Sequence, residues 1–233
     1  MNYTLPQCSN YCIGVVFFVG IILSLPLSAM RGTQKEIIIM LDPAGDAQYA
    51  GRRIDDSFER GLTLRCAEQL KQRLEQLFPQ IHVVLTRLPG ETVQPLQNAN
   101  FANRLSVDLY LSIHFYHETA TKPELFIYTY AYQDGQITTS TPNTFSFLPY
   151  DQAHRIHGNE TSAIANKLYE QFLKHDTLFT TRGIFKLPFK PLMGIVAPAI
   201  AIEAGLKQKD DWVNYLDAFT QAVSRFIMDQ SYS

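Results

Sequence analysis

Apolar side chains group into short continuous runs that alternate with longer stretches of helical periodicity. The run from Glu36 to Asp42 (EIIIMLD) is ended by Pro43 and Gly45, which is typical of a strand buried on both faces. From Ser57 to Leu77 the apolar positions recur at helical spacing, and Ile81 to Thr86 is a second β-branched run. A strand, a helix and a second strand in this order favour a parallel crossover unit.

The same alternation continues to the C-terminus. Further strands are predicted at 108–114, 125–132, 183–189 and 196–203, and further helices at 98–105, 161–174 and from Trp212 to Ile227. The stretch from Gln133 to Asn159 lacks sustained periodicity and predicts a long loop. We therefore predict one α/β domain of three layers at residues 31–233, with a mainly parallel or mixed central sheet of about six strands flanked by helices.

The first 30 residues differ from the rest of the chain. The run from Cys12 to Ala29 is almost entirely apolar and uncharged, which indicates a signal peptide or an N-terminal membrane anchor. Pro26 interrupts the run and Leu27 to Ala29 forms a small-residue cleavage site, so we favour the signal peptide. Both interpretations place the protein outside the cytoplasm, in the periplasm or cell envelope, with membrane contact only through an uncleaved segment.

Composition narrows the class of partner and the source of stability. The 46% hydrophobic content supplies a sizeable core, and the net charge of -2 gives no positive field for a polyphosphate backbone. Nucleic acid is therefore not expected as a partner. Cys8 and Cys12 lie in or beside the apolar segment, so its cleavage would leave Cys66 without an intrachain disulfide.

Three polar residues stand where predicted buried elements begin or end. Glu59 lies near a helix start, and His114 and Glu203 each end a strand. Ligand sites of open α/β sheets form at strand ends, and histidine and carboxylate side chains bind zinc. The alternative is a helix-capping Glu59 and a hydrogen-bonded His114 without a metal.

Five segments in order resemble the zinc-dependent N-acetylmuramoyl-L-alanine amidases of bacterial cell walls. They are Leu41-Asp42-Pro43, Phe58-Glu59-Arg60, Val84 to Arg87, Ala99-Asn100 through Ser112-Ile113-His114, and Ala199 to Gly205. The resemblance implies a peptidoglycan substrate, a Zn²⁺ cofactor held by Glu59 and His114, and Glu203 as the catalytic base. It leaves unknown any protein partner that activates the enzyme.

One metal ligand of that family is absent here. The family's turn reads Asp-Pro-Gly-His-Gly-Gly, whereas this chain has Gly45 where the histidine belongs. Asp46 is the nearest replacement and is predicted as the third ligand. His117 and the His154/His157 pair are alternatives, each more often a solvated loop histidine.

Two arginines complete the predicted site. Arg52 and Arg60 could bind a stem-peptide carboxylate, or they could pair with Asp55 and Asp56 instead. The leading hypothesis is a hydrolase of the amide between N-acetylmuramic acid and L-alanine. The alternative, prompted by Gly45, is a catalytically inactive protein of the same fold that binds peptidoglycan or regulates cell-wall hydrolysis.

Overall fold

The apolar runs of the sequence form the strands of one central sheet in the computed structural model, which describes residues 36–94, 96–131 and 149–231. The six strands are β1 (Ile37–Pro43), β4 (Ile81–Leu85), β5 (Leu109–His117), β6 (Glu124–Tyr130), β7 (Thr180–Leu187) and β8 (Ala199–Leu206). Their order is β4-β1-β5-β8-β6-β7. All neighbours pair in parallel except β6 and β8, which are antiparallel. The prediction of a mixed sheet of about six strands is confirmed.

Helices cover both faces of this sheet. They are α1 (Glu59–Leu77), α2 (Gln97–Leu105), α3 (Gly158–Leu173) and α4 (Val213–Ser231), with 3-10 turns at Tyr150–Arg155 and Lys190–Leu192. A hairpin of two-residue strands, β2 (Arg53–Ile54) and β3 (Ser57–Phe58), precedes α1. Residues 36–231 lie in one compact unit, in agreement with the predicted single α/β domain.

The two faces of the sheet bury different residues because strand side chains alternate. One face carries the larger core, in which Leu111 and Ile202 are packed with Leu70 of α1 and Phe219 of α4. The opposite face carries a smaller core that includes Tyr110 of β5. Positions two and four residues beyond Tyr110 share its face, so His114 projects from this second face.

The structure corrects several predicted element boundaries. The strands predicted to end at His114 and Glu203 continue to His117 and Leu206, and the strand predicted at 183–189 spans Thr180–Leu187. The helix predicted from Ser57 begins at Glu59, because Ser57 and Phe58 pair with the strand at Arg53–Ile54. The loop predicted for 133–159 was wrong at its end, where a 3-10 turn forms and α3 already begins at Gly158.

Some predictions concern residues outside those described. This group comprises residues 1–30 with Cys8 and Cys12, the predicted loop residues 133–148, and Tyr132 in the strand predicted at 125–132. Within 36–94, 96–131 and 149–231, no helix has the length and apolar character needed to cross a membrane.

Candidate active site

Glu59 and His114 meet at the C-terminal ends of the parallel strands. Glu59 is the first residue of α1 and is buried, and its Oε1 lies 3.5 Å from Nδ1 of His114 on β5. The two carboxylate oxygens also accept backbone hydrogen bonds, Oε1 from Phe115 and Oε2 from Arg52, both at 3.1 Å. These bonds fix the carboxylate in the orientation that faces the imidazole.

The surroundings of Glu59 favour its charged form. Burial alone would raise the pKa of this carboxyl group, but the contact with His114, the hydrogen bond from the Arg52 backbone and the positive charges of both residues lower it. The net effect is a pKa below the ordinary 4.5. Glu59 is therefore an ionised carboxylate at neutral pH, as a metal ligand must be.

A chain of hydrogen bonds orients His114 from its other ring nitrogen. Ser112 Oγ donates to Asp42 Oδ2 at 2.7 Å and lies 2.9 Å from His114 Nε2. Because the single hydroxyl proton goes to the carboxylate, Ser112 must accept from Nε2–H. In a neutral imidazole this leaves Nδ1 as a lone-pair donor that faces Glu59.

The buried carboxylate of Asp42 lies at the centre of these hydrogen bonds. Its Oδ1 accepts hydrogen bonds from Thr86 Oγ1 and Asn98 Nδ2, both at 2.8 Å. Every oxygen of Asp42 is thus occupied by a protein donor, and the group serves to orient Ser112. Carboxylates in this second position commonly fix the tautomer of a ligating histidine.

The donor pair fits a divalent cation. A bare imidazole nitrogen and an ionised carboxylate oxygen 3.5 Å apart repel each other unless a positive charge, either a proton on Nδ1 or a metal ion, lies between them. Both are ordinary zinc ligands. With a neutral imidazole, the chemistry of these two side chains therefore fits a Zn²⁺ ion.

The predicted third ligand, Asp46, does not join this pair. Its Oδ1 accepts the backbone N–H groups of Gln48 at 2.8 Å and Tyr49 at 2.6 Å, and its Oδ2 accepts that of Val93 at 3.0 Å. Within the described parts of the chain, no three His, Cys, Asp or Glu side chains come together as a metal site. Asp46 instead holds the turn after β1 in shape.

That turn is also closed against a histidine at position 45. Gly45 has φ +76°, and a Cβ built there would lie 2.7 Å from Arg60 Cβ. Arg87 clamps the turn to α1 by donating to the carbonyls of Pro43, Ala44 and Arg60 at 3.0, 3.1 and 2.8 Å. The backbone of this turn therefore differs from one that would present a side chain from position 45 to Glu59.

Glu203, the predicted base, lies on β8 directly opposite His114 in the strand register. Its side chain is 12% exposed, and each oxygen has one partner. Oε1 accepts from Arg52 Nη1, and Oε2 accepts from Tyr128 Oη at 2.8 Å. Burial and the adjacent Glu203 raise the pKa of Tyr128 well above its ordinary value, so the phenol remains a donor.

The two arginines have separate roles. Arg52 pairs with Glu203 and keeps half of its side chain exposed. Arg60 donates to the carbonyls of Asp46 and Ala47, at 3.2 and 2.9 Å, and so supports the turn. The pairing of these arginines with Asp55 or Asp56 is not observed among the described contacts.

The alternative histidines lie elsewhere. His117 is exposed at the end of β5, and the ring of His154 packs against Tyr130 with centroids 4.9 Å apart. His157 Nδ1 contacts Glu160 Oε2 at 3.0 Å. None of them belongs to a three-residue metal cluster in the described segments.

Tyr128 is the site residue that sequence reasoning missed. Alternation of Tyr128 with Tyr130 along the strand predicted at 125–132 is typical of packing, and the sequence does not show that β6 lies antiparallel beside β8. In the observed register Phe126 pairs with Glu203, so the next side chain on that face, Tyr128, reaches the carboxylate. The alternation along the strand shows which residues share a face with Tyr128, but its contact with Glu203 follows only once the strand that pairs with β6 is known.

Comparison with known proteins identifies one protein family. The family model described as N-acetylmuramoyl-L-alanine amidase matches residues 39–225. A relative named N-acetylmuramoyl-L-alanine amidase CwlM, from Bacillus licheniformis, is 32% identical over 90 residues. That alignment covers 39% of this chain and 36% of the relative, so the chain matches little more than a third of the relative's length.

Solved structures share the fold. The amidase Ami1 from Mycobacterium smegmatis superposes with a TM-score of 0.62 at 12% identity and covers 85% of this chain and 100% of its own. An N-acetylmuramoyl-L-alanine amidase from Clostridium difficile 630 gives 0.59 at 20% identity, with 85% and 98% covered. Since the family model spans most of the sequence, this chain belongs to the N-acetylmuramoyl-L-alanine amidase family.

Proposed function

We propose that this chain hydrolyses the amide bond between N-acetylmuramic acid and L-alanine in peptidoglycan. The observation that carries the proposal is the convergence of Glu59, His114 and Glu203 at one end of the sheet, with His114 and Glu203 opposite each other on β5 and β8. The family membership supplies the reaction class. The geometry supports the choice of residues.

We further propose Zn²⁺ as the cofactor, held by Glu59 Oε1 and His114 Nδ1. When bound, zinc polarises the scissile carbonyl and lowers the pKa of water. Ser112 and Asp42 hold the imidazole in the tautomer that leaves Nδ1 free for the ion. Two protein ligands are one fewer than catalytic zinc sites usually have, so we expect weak binding.

Glu203 moves the proton. Its carboxylate takes a proton from the attacking water and delivers it to the leaving amine of L-alanine. Tyr128 holds Oε2 by a hydrogen bond, which leaves Oε1 as the oxygen that changes partners. Arg52 contacts Oε1 in this structure and must release it when Glu203 acts as the base.

Arg52 is also the proposed contact for the stem peptide. Its guanidinium is half exposed beside the base, and a substrate carboxylate offers it a bidentate partner in place of Glu203. Substrate binding would then free Glu203 Oε1 in the same step. Arg60 is not part of this proposal, because its guanidinium is used by the turn carbonyls.

Glu203→Gln tests the base. We expect release of peptides from purified sacculi, measured by mass spectrometry, to fall by at least about a hundredfold, because an amide cannot accept the proton. Glu170→Gln, at an exposed position on α3, is the matched control and should retain native turnover. Full activity in Glu203→Gln would disprove the assignment, and sacculus binding without turnover by the native chain would indicate a binding protein of this fold.

Zinc content tests the cofactor. Elemental mass spectrometry of zinc-supplemented protein should detect zinc in the native chain and in Asp46→Ala, but not in His114→Ala. Retention in Asp46→Ala is expected because that carboxylate is bonded to backbone amides. Loss of zinc in Asp46→Ala with an intact fold would restore Asp46 as a ligand.

We also propose that the chain acts outside the cytoplasm, where peptidoglycan lies. The proposal rests on this substrate and on the apolar segment within residues 1–30. Fusion of those residues to a reporter enzyme that is active only after export tests it. A fusion that remains in the cytoplasm, with an inactive reporter, would contradict the proposed export.

A further inference from the structure

An aromatic surface extends from the catalytic cluster along β6 and β7. Its members are Tyr116, Phe126, Tyr128, Phe185 and Phe189. Successive ring centroids are 5.1 to 6.4 Å apart, from Phe189 through Tyr128 to Phe126 and on to Tyr116. The rings therefore form one continuous surface.

This surface is open to solvent. Phe185 is 41% exposed, and the other four rings are partly exposed. Gly183 stands opposite Phe126 in the β6–β7 pairing and has φ +133°, and a Cβ at this glycine would meet only Phe185, at 3.9 Å. A cluster of partly exposed rings beside a reaction centre is typical of a ligand-binding surface.

The aromatic surface begins at the reacting groups. Phe189 packs edge-on against His114 with ring centroids 5.1 Å apart, and Tyr128 donates a hydrogen bond to Glu203 Oε2. The other oxygen of Glu203 contacts Arg52. The two sides of the base thus differ, with aromatic rings on one side and a cation on the other.

We propose that the aromatic surface binds the sugar rings of the peptidoglycan glycan strand, while the arginine side receives the stem peptide. The inference rests on the proposed function, in which the scissile amide joins a sugar to a peptide. Pyranose rings present apolar C–H faces that stack on aromatic rings, whereas the stem peptide carries carboxylates that suit a guanidinium.

The charges near the surface agree with a neutral ligand. Arg182 at its edge is paired with Glu124, and Tyr116 Oη donates to Glu118 Oε2 at 2.8 Å. The rings themselves offer stacking area, and the two tyrosines add hydroxyl groups. The arginine at the edge of the surface is thus already paired with a carboxylate.

Phe185 is the residue through which to test the proposal. It contributes an exposed ring that packs on Phe126 and Tyr128, and among the described residues it makes no ring contact or hydrogen bond with Glu59, His114 or Glu203. The matched control is Leu173→Ala, which truncates a 45% exposed apolar side chain at the end of α3. Phe185→Tyr retains the ring and serves as the rescue variant.

The experiment measures binding of peptide-free glycan strands to the full-length chain by isothermal titration calorimetry. We expect binding by the native chain, Leu173→Ala and Phe185→Tyr, and a loss of roughly tenfold in affinity in Phe185→Ala, since a stacked ring is worth about that much. Isolated stem peptide, titrated in parallel, should bind the native chain and Phe185→Ala equally.

The outcomes separate this inference from the proposed function. Glycan binding unchanged in Phe185→Ala, or no glycan binding by a chain that still cleaves sacculi, would overturn the sugar subsite and leave the amidase proposal standing. Weaker stem-peptide binding in Phe185→Ala would assign the surface to the peptide. If glycan binding depends on the Phe185 ring but the native chain does not cleave sacculi, the sugar subsite stands and the amidase proposal is rejected.

Discussion

Restoring the missing histidine by Gly45→His is expected to destabilise the protein rather than complete the metal site. The φ of +76° lies in the left-handed region, which costs a non-glycine residue about 1–2 kcal/mol. The new Cβ would lie 2.7 Å from Arg60 Cβ and 3.0 Å from the Tyr49 carbonyl oxygen. Both neighbours must move, and overpacking of this kind costs about 1–3 kcal/mol.

Arg60 has little freedom to move away. Its backbone N–H donates to Ala50 at 3.1 Å, and its guanidinium holds the carbonyls of Asp46 and Ala47. The two costs therefore add, and we expect the free energy of unfolding to fall by about 2–5 kcal/mol. For a domain of this size each kcal/mol lowers Tm by about 2–4 °C.

Denaturant unfolding followed by circular dichroism measures the loss, and elemental mass spectrometry measures zinc. Gly61→His is the control, because Gly61 lies in α1 with no atom within 4 Å of a built Cβ, and its stability should change little. A Gly45→His protein as stable as the native chain, or one that gains stoichiometric zinc, would refute the reasoning about the turn.

Three further predictions concern buried polar groups. Ser112→Ala removes the acceptor of the imidazole N–H and should weaken zinc binding by about 10–100-fold in a competition titration with a chelator, whereas unchanged affinity would exclude the relay. Burial raises the pKa of Asp46, but three backbone hydrogen bonds and the charge of Arg87 bring it below 3.8, so its contribution to stability is complete above about pH 3.8 and is lost as the pH falls through the folded value. Asp46→Asn should thus unfold more easily at neutral pH and approach the native curve in acid, while exposed Asp210→Asn should follow the native curve throughout. Burial raises the pKa of Cys66 to about 12, so iodoacetamide at pH 8 should modify it only after unfolding, and rapid labelling of folded protein would contradict its burial.

The fold could be predicted because apolar periodicity reports burial directly. Ile81 to Thr86 and Asn98 to Leu105 were placed to within a residue at each end, since both elements bury a regular pattern of side chains. The hairpin at 53–58 escaped prediction because strands of two residues carry no periodicity. The order β8-β6-β7 also could not be read from the sequence, because it depends on which strand edges meet.

The residues of the candidate site also differ in how well the sequence predicts them. Glu59, His114 and Glu203 could be named because Glu59 begins a helix and the other two lie in recognisable strands, although β5 and β8 continue three residues beyond His114 and Glu203. The prediction of Asp46 as a ligand depended on where its carboxylate points, which is set by its hydrogen bond to Val93, a residue 47 positions away. Long-range backbone contacts of this kind leave no local pattern, so the third ligand position was the least predictable part.

The position of Arg52 links the proposed metal ligand to the proposed base. Its backbone N–H is bonded to Glu59 Oε2, and its guanidinium is bonded to Glu203 Oε1, so one residue contacts both carboxylates. A divalent ion beside Glu59 repels a guanidinium nearby, whereas a substrate carboxylate attracts it. Metal and substrate would therefore both draw Arg52 away from Glu203, and the base would be released only when the site is filled. Gly45 and Arg52 thus belong to one connection between β1 and α1, which places a cation in contact with the proposed base.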